Sequence, residues 1–265
     1  MPARRGGLVR LAPELDEIDE GFALESFEIL SRTEEGHFWF TTRNQLIEWL
    51  IHRYASATGR AIEIGCGTGF VLKAFRSALP QTNISGSELH SRGLLYARDR
   101  HADCVELIQM DARRTFLSEA FELVGAFDVL EHIDEDELVL GEIYRMLRPK
   151  GVFIASVPQH PWLWSAVDEI AHHRRRYRRG ELAVKAQKAG LRIRYQTSFA
   201  TLAFPMLVAD RLRSRMRPNL KSVEATVPRA INGPLLFLFR IEHLLRRLGM
   251  PLPFGGSQFI VADKV

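Results

Sequence analysis

From Arg60 to Pro158, short apolar runs alternate with segments of helical periodicity, and each run stops at an acid or a turn residue. Runs this short and continuously apolar suit strands buried on both faces. Separated by helices, they make βαβ units, so the chain is committed to a mainly parallel sheet covered on both sides. The strands read as Ala61–Ile64, Asn83–Ser87, Val105–Met110, Phe121–Phe127 and Val152–Val157. Helices are expected over Phe70–Leu79, stopped by Pro80, over Ser91–Arg100, and over Asp136–Leu147, closed by Pro149 and Gly151. A helix over Glu181–Ala189 precedes a sixth strand, Leu191–Thr197, and Gln258–Val265 is the seventh.

This core takes residues 58–200 and 257–265. Ahead of it, Phe22, Phe27, Leu30, Leu46, Ile47, Leu50 and Ile51 recur at helical spacing, which predicts an N-terminal helical cap over residues 1–57. Within the cap, Gly36-His37-Phe38-Trp39-Phe40 is too aromatic for an ordinary loop; it either packs the helices onto the core or covers a ligand. If the last two strands pair, residues 201–256 are a helical insertion. Its first half, Thr201 to Arg217, runs from apolar to basic, and its second half carries Leu235, Leu238, Ile241, Leu245 and Leu248 on one stripe. The expected role of the insertion is an acceptor-side lid.

A chain of 265 residues with 46% hydrophobic and 26% charged residues supports one large core with additions. Cys66 and Cys104 are too few for a disulfide framework, and neither a signal-like apolar segment nor a run of about 20 apolar residues is present. The expected location is the cytoplasm, with the inner membrane face as an alternative if the insertion makes peripheral contact. The net charge of +4 is concentrated in the block His172-His173-Arg174-Arg175-Arg176-Tyr177-Arg178-Arg179, which is either a solvated flank or an anion-binding surface.

The first strand runs into glycines at alternate positions, Gly65, Gly67 and Gly69. Without Cβ atoms such a backbone turns tightly and lets a ligand approach the main chain. The dinucleotide fingerprint needs its third glycine where this chain has Phe70, and no Gly-Lys-Ser/Thr follows for phosphate and magnesium, so NAD, FAD and nucleoside triphosphates are disfavoured. Four successive strands end in acids, Glu63, Glu88, Asp111 and Asp128, where open parallel sheets bind ligands. Glu88 stands 19 positions after Gly69, the place from which a second strand presents a carboxylate to a ribose.

Together, Glu63-Ile64-Gly65-Cys66-Gly67-Thr68-Gly69, Glu88, Asp111-Ala112 and Phe127-Asp128-Val129-Leu130-Glu131-His132-Ile133 resemble the class I S-adenosylmethionine-dependent methyltransferases. The aromatic segment with Arg43, and Leu163-Trp164-Ser165 with Asp168 and His173 to Tyr177, are similar to bacterial members of unassigned acceptor. The resemblance implies a Rossmann-like seven-stranded sheet and S-adenosylmethionine as cofactor, leaving S-adenosylhomocysteine. It places Gly65, Cys66, Gly67 and Gly69 beneath the cofactor, Glu88 at its ribose with Leu89 alongside, and Asp111 and Ala112 at the adenine. Glu63 falls near the methionyl amino group, and Phe127 and Asp128 near the transferred methyl. The cofactor has no phosphate and carries ammonium and sulfonium charges, which suits an acidic rim made by Glu63 and Asp128.

For the acceptor, His160 or His173 is placed to draw a proton from a hydroxyl and Tyr177 to orient it. His132 reads as a capping or packing residue. No metal is expected, because adjacent His172 and His173 differ from usual ligand spacings and no Cys/His cluster accompanies them. A small-molecule or lipid-like acceptor methylated at oxygen is the leading expectation. The alternative is an RNA-binding or RNA-modifying protein that sets Arg174 to Arg179 against phosphate, although no RNA-binding module flanks the core and nucleic acid is disfavoured. The sequence leaves the oligomeric state open.

Overall fold

The computed structural model describes residues 3–5, 8–16, 26–56, 59–216, 229–250 and 252–265. Expectations for Phe22 and Arg217 lie outside the described residues. In chain order the strands are β1 (Ala3–Arg5), β2 (Leu8–Arg10), β3 (Arg60–Ile64), β4 (Asn83–Glu88), β5 (Glu106–Gln109), β6 (Phe121–Phe127), β7 (Leu147–Pro158), β8 (Leu191–Phe199) and β9 (Ser257–Lys264). The helices are α1 (Ser26–Thr33), α2 (Phe38–Tyr54), α3 (Leu72–Ala78), α4 (Ser91–His101), α5 (Asp136–Met146), α6 (Ala166–Ile170), α7 (Glu181–Lys188), α8 (Phe204–Met216) and α9 (Arg229–Arg247).

One nine-stranded sheet runs in the order β1-β2-β5-β4-β3-β6-β7-β9-β8. The seven expected strands are all present, parallel from β5 to β7, with β9 antiparallel between β7 and β8. The chain leaves β3 for β4 and β5, then returns to β6 on the opposite side of β3, so the switch point lies between β3 and β6. There a crevice opens outside the carboxyl ends of the strands. The alternation along β3 shows how the sheet is covered: Ala61 joins the apolar cluster containing α2 and α3, and Ile62 joins the one containing α5 and α7.

The N-terminal region departs from the helical expectation. Residues 3–5 and 8–10 pair as antiparallel strands, and the second of them pairs in parallel with β5. Buried Gln109 exchanges hydrogen bonds with the backbone of Ala12, and Asp16 accepts from the backbone N–H of Ser91 at 2.6 Å. That carboxylate supplies the cap that His90, at the start of α4, does not provide. Helical periodicity could not detect two three-residue strands that gain order only by joining an existing edge.

The insertion also differs in detail. Along α9 the buried positions are Leu235, Phe239, Glu242 and Arg246, whereas Leu248 is 71% exposed. Glu242 accepts from the backbone N–H groups of Ala200 and Leu202 and from Arg246, which also donates to the Ser198 carbonyl. An ion pair that satisfies the backbone leaving β8 takes the inner face, rotating the expected apolar stripe partly outward. Asn232 donates to the Gly36 carbonyl and accepts from the Phe38 N–H, fastening α9 to the start of α2. No helix among the described residues is long and apolar enough to cross a membrane.

Candidate active site

A cavity of about 470 Å³ opens at the switch point, a volume suited to a small organic ligand. Its floor is the turn after β3, where Gly65, Gly67 and Gly69 take φ values of +65°, +51° and +76°. These glycines serve different ends. A Cβ on Gly65 would lie 2.4 Å from Val129 and one on Gly69 2.9 Å from Ala97, so both are required by packing. At Gly67 the nearest atom would be a Phe27 ring carbon at 3.7 Å, leaving open space at the cavity wall. Gly65, Cys66 and Gly67 line the cavity and Gly69 does not. Just after α1, Glu34 accepts from the Thr68 hydroxyl and from Arg100, which also donates to the Thr68 carbonyl, bracing the turn.

The strand-end acids converge here. Glu88 accepts from the N–H groups of Gly67 at 3.0 Å and Leu89 at 2.8 Å, although burial still raises the pKa of its carboxyl. Glu63 is 1% exposed, its Oε2 has no hydrogen-bond partner, and burial pushes its pKa well up. A buried acceptor left unpaired calls for a donor from outside the protein. Asp111 accepts from the N–H and side chain of Arg113. Leu89, Ala112 and Phe127 also line the cavity. Asp128 has a left-handed backbone, φ +55°, held by its N–H donating to the Ser156 carbonyl; its side chain accepts from Ser156 and pairs with Arg43 of α2. Its charge is thus already matched, and the acidic rim is left to Glu63.

The aromatic segment is divided between core and cavity lining. Phe38 is buried against Phe239, whereas Trp39 and Phe40 line the cavity. Leu207 and Arg211 of α8 also line it, with Arg211 donating to the Ser165 hydroxyl.

The three residues expected at the acceptor part company. His173 lines the cavity, and its Nδ1 lies 2.9 Å from Asp168 Oδ1. Although burial opposes it, hydrogen bonds from His173 and Arg176 hold the Asp168 carboxyl down at about 2. Tyr177 is fully buried, its hydroxyl donates to Asp136, and burial pushes its pKa up, so it is a core residue with no access to an acceptor. His160 packs its ring against Trp162 and Phe204 and does not line the cavity. Both corrections have one cause: Tyr177 N–H donates to the Pro158 carbonyl and His160 N–H to the Tyr177 carbonyl, so this backbone extends the sheet edge and turns both side chains away.

Sequence reading passed over Glu131. It is completely buried and lines the cavity, neither side-chain oxygen has a hydrogen-bond partner, and burial pushes its pKa well up. An acid just past the end of the fourth strand, within the quoted motif, was the available signal. The expectation of no metal ligands considered neighbours along the chain, but the fold gathers Glu131, His132 and His173 with ligand atoms within 4.8 Å of one another.

Residues 62–155 match the family model described as a methyltransferase domain. The matched stretch, about a third of the chain, is a methyltransferase domain. It is 26% identical over 121 residues to a ubiquinone biosynthesis O-methyltransferase of Pseudomonas putida, covering 43% of this chain and 51% of that one. A probable S-adenosylmethionine-dependent methyltransferase of Mycolicibacterium smegmatis is 29% identical over 129 residues, 47% of each chain. The chain spans about half the length of these relatives. In fold it is similar to phosphoethanolamine N-methyltransferase 2 of Haemonchus contortus, with TM-score 0.55 and 20% identity over 84% of this chain and 52% of that one. It is also similar to the complex of the Haloferax volcanii Trm112 methyltransferase activator with a methyltransferase, with TM-score 0.58 and 14% identity over 91% and 93%. The matched residues hold the glycine turn, the strand-end acids, β4 to β6 and most of β3 and β7; β1, β2, β8, β9, the aromatic wall and α8 lie outside them.

Proposed function

We propose that the chain is an S-adenosylmethionine-dependent methyltransferase that transfers a methyl group to oxygen on a small-molecule or lipid-like acceptor. One observation carries the reading: a single cavity is lined at once by the Gly67 turn and unpaired Glu63, and by His173 with its Asp168 partner. The cofactor supplies an already activated methyl group, so the protein chiefly has to align the acceptor and exclude water. In this reading Glu63 takes the methionyl ammonium, Glu88 the ribose hydroxyls, and Leu89, Asp111 and Ala112 surround the adenine. Phe127 and Asp128 border the methyl. His173 engages the acceptor hydroxyl, oriented by Asp168.

Transfer to oxygen draws support from the similarity to a ubiquinone biosynthesis O-methyltransferase and from the polar cluster around His173. A compact acceptor suits a cavity lined by Trp39, Phe40, Leu207 and Arg211, with residues 201–256 as its lid. The RNA reading is weakened by the basic block itself. Arg174 and Arg175 pair with Asp134, Arg175 also with Asp136, and Arg176 with Asp168, so their charge is matched within the chain. The test is incubation with methyl-labelled cofactor and separate pools of phenols, lipid extract and RNA, followed by mass spectrometry. Label on oxygen of a small or lipid product is expected. Label confined to RNA, or to nitrogen or carbon, overturns the assignment.

A further inference from the structure

We infer that Glu131, His132 and His173 form a binding site for one divalent transition-metal ion, of zinc-like chemistry, at the acceptor side of the cavity. Glu131 and His132 are adjacent and His173 comes from a distant segment, and the backbone fixes their approach: the Arg174 N–H donates to the Glu131 carbonyl at 2.7 Å and the His173 N–H to the Asp168 carbonyl at 2.9 Å. Their ligand atoms lie within 4.8 Å of one another. In a tetrahedral site, donors about 2.1 Å from the ion stand about 3.4 Å apart, so closure draws the ligand atoms together by up to about 1.4 Å, within reach of side-chain rotation.

Glu131 is the first independent pointer to a cation. Its carboxyl group is fully buried and neither oxygen accepts a hydrogen bond, an arrangement that is costly unless a positive charge or a donor joins it. The nearby arginines are committed elsewhere, Arg43 to Asp128 and Arg176 to Asp168. The second pointer is the tautomer of His173. With Nδ1 donating to Asp168, the lone pair falls on Nε2, which lies 3.9 Å from Glu131 Oε1. That separation is too long for a hydrogen bond and suits two ligands of one ion, and a carboxylate behind a histidine is the usual support of a metal-bound imidazole. The His132 ring stands almost perpendicular to that of His173, with centroids 4.8 Å apart, completing a set of two imidazoles and one carboxylate.

Such a set selects zinc or a neighbouring first-row ion over magnesium and leaves a coordination position open toward the cavity. The ligand suited to that position is an acceptor hydroxyl or oxyanion. A coordinated hydroxyl ionises near neutral pH and releases its proton to solvent, leaving His173 to act through the ion and not as a base. The site goes beyond the methyl-transfer reading, replacing direct contact between His173 and the acceptor by contact through the ion, and does not depend on that reading, because metal binding is read without cofactor or acceptor.

The experiment strips the full chain with a chelator, reloads it with Zn²⁺ or Co²⁺, and follows titration calorimetry, metal content after desalting, and the visible ligand-field bands of cobalt. About one ion per chain is expected, with cobalt bands of low-coordinate type and no comparable uptake of Mg²⁺. Glu131→Gln and His173→Ala should each weaken binding by at least tenfold, and Asp168→Asn by roughly 10- to 100-fold through loss of ligand orientation. His52→Ala, at an exposed histidine remote in sequence, should change nothing. Thermal unfolding identifies any variant that fails to fold, and Glu131→Gln, which preserves side-chain size, then carries the test. No stoichiometric uptake by the wild type, or equal uptake by folded Glu131→Gln, overturns the site even if methyl transfer is found.

Discussion

Glu63→Gln separates a ligand-binding carboxylate from a structural one, because the two roles predict opposite effects on the empty protein. In the structure the Glu63 carboxyl is buried with an unpaired Oε2, and burial raises its pKa, opposed by Arg43 and reinforced by Glu88 and Glu34. The folded state therefore holds the proton at pH values where the unfolded chain, titrating near 4.5, has released it. Stability contributed by the protonated group is complete below that value and declines as pH rises toward the raised folded pKa. Glutamine has the same shape and no such titration, so Glu63→Gln without ligand should be at least as stable as wild type, with an advantage that grows as pH rises from 4.5 toward the raised folded pKa. Cofactor binding should move the other way. Removing one member of a buried charge pair costs about 2–5 kcal/mol; with the glutamine carbonyl still able to accept, the lower part of that range applies, roughly a 30- to 150-fold rise in Kd by calorimetry. Unchanged affinity, or an affinity loss that merely follows a lower Tm, refutes the assignment.

Glu88→Ala should weaken S-adenosylmethionine by about 1.5–3 kcal/mol in the same assay, and equal affinities would remove the ribose role. Gly67→Ala should lower stability by only about 1–2 kcal/mol for its left-handed backbone yet reduce cofactor affinity at least about tenfold, whereas Gly69→Ala, meeting Ala97, should destabilise more without lining the cavity. Tyr177→Phe should cost about 1–2 kcal/mol in denaturant unfolding by leaving Asp136 without one donor, with kcat intact; a large fall in kcat at unchanged stability would restore its catalytic role. Burial of His243, with Arg247 and Arg246 beside it, pushes its pKa down to about 4, so its neutral form supports the fold and stability falls as pH drops from about 6.5 toward 4. Each pH unit in that window is worth at most about 1.4 kcal/mol, less for a partly exposed ring, and His243→Phe should flatten the dependence of Tm on pH.

The elements legible in the sequence were those whose pattern is set locally. Apolar runs ending in acids fixed the seven core strands to within a few residues, and the glycine turn located the crevice, because strand period and glycine chemistry act over a few positions. Features set by distant partners stayed hidden. The paired strands at residues 3–5 and 8–10 depend on the edge of β5, the inner face of α9 depends on backbone groups beyond β8, and Tyr177 is withdrawn by Asp136, 41 residues away. The acceptor side was the least legible, since His173 reaches the adjacent pair Glu131 and His132 only after the sheet forms, and the spacing along the chain matches no ligand motif.

Arg43 ties these parts together electrostatically. It pairs with Asp128, and its charge also lowers the pKa values of Glu63 and Glu131. A guanidinium bound to one carboxylate can offset the other two only in part, so the cavity retains two buried acids without direct partners. One borders the glycine turn, where an ammonium would satisfy it, and the other stands with two imidazoles, where a metal ion would. The helix that carries Arg43 also brings Trp39 and Phe40 to the wall and is fastened by Asn232 of α9. Displacing α9 therefore loosens the start of α2, and with it the cation that moderates both acids, so perturbations at the insertion should reach the cofactor end without touching it.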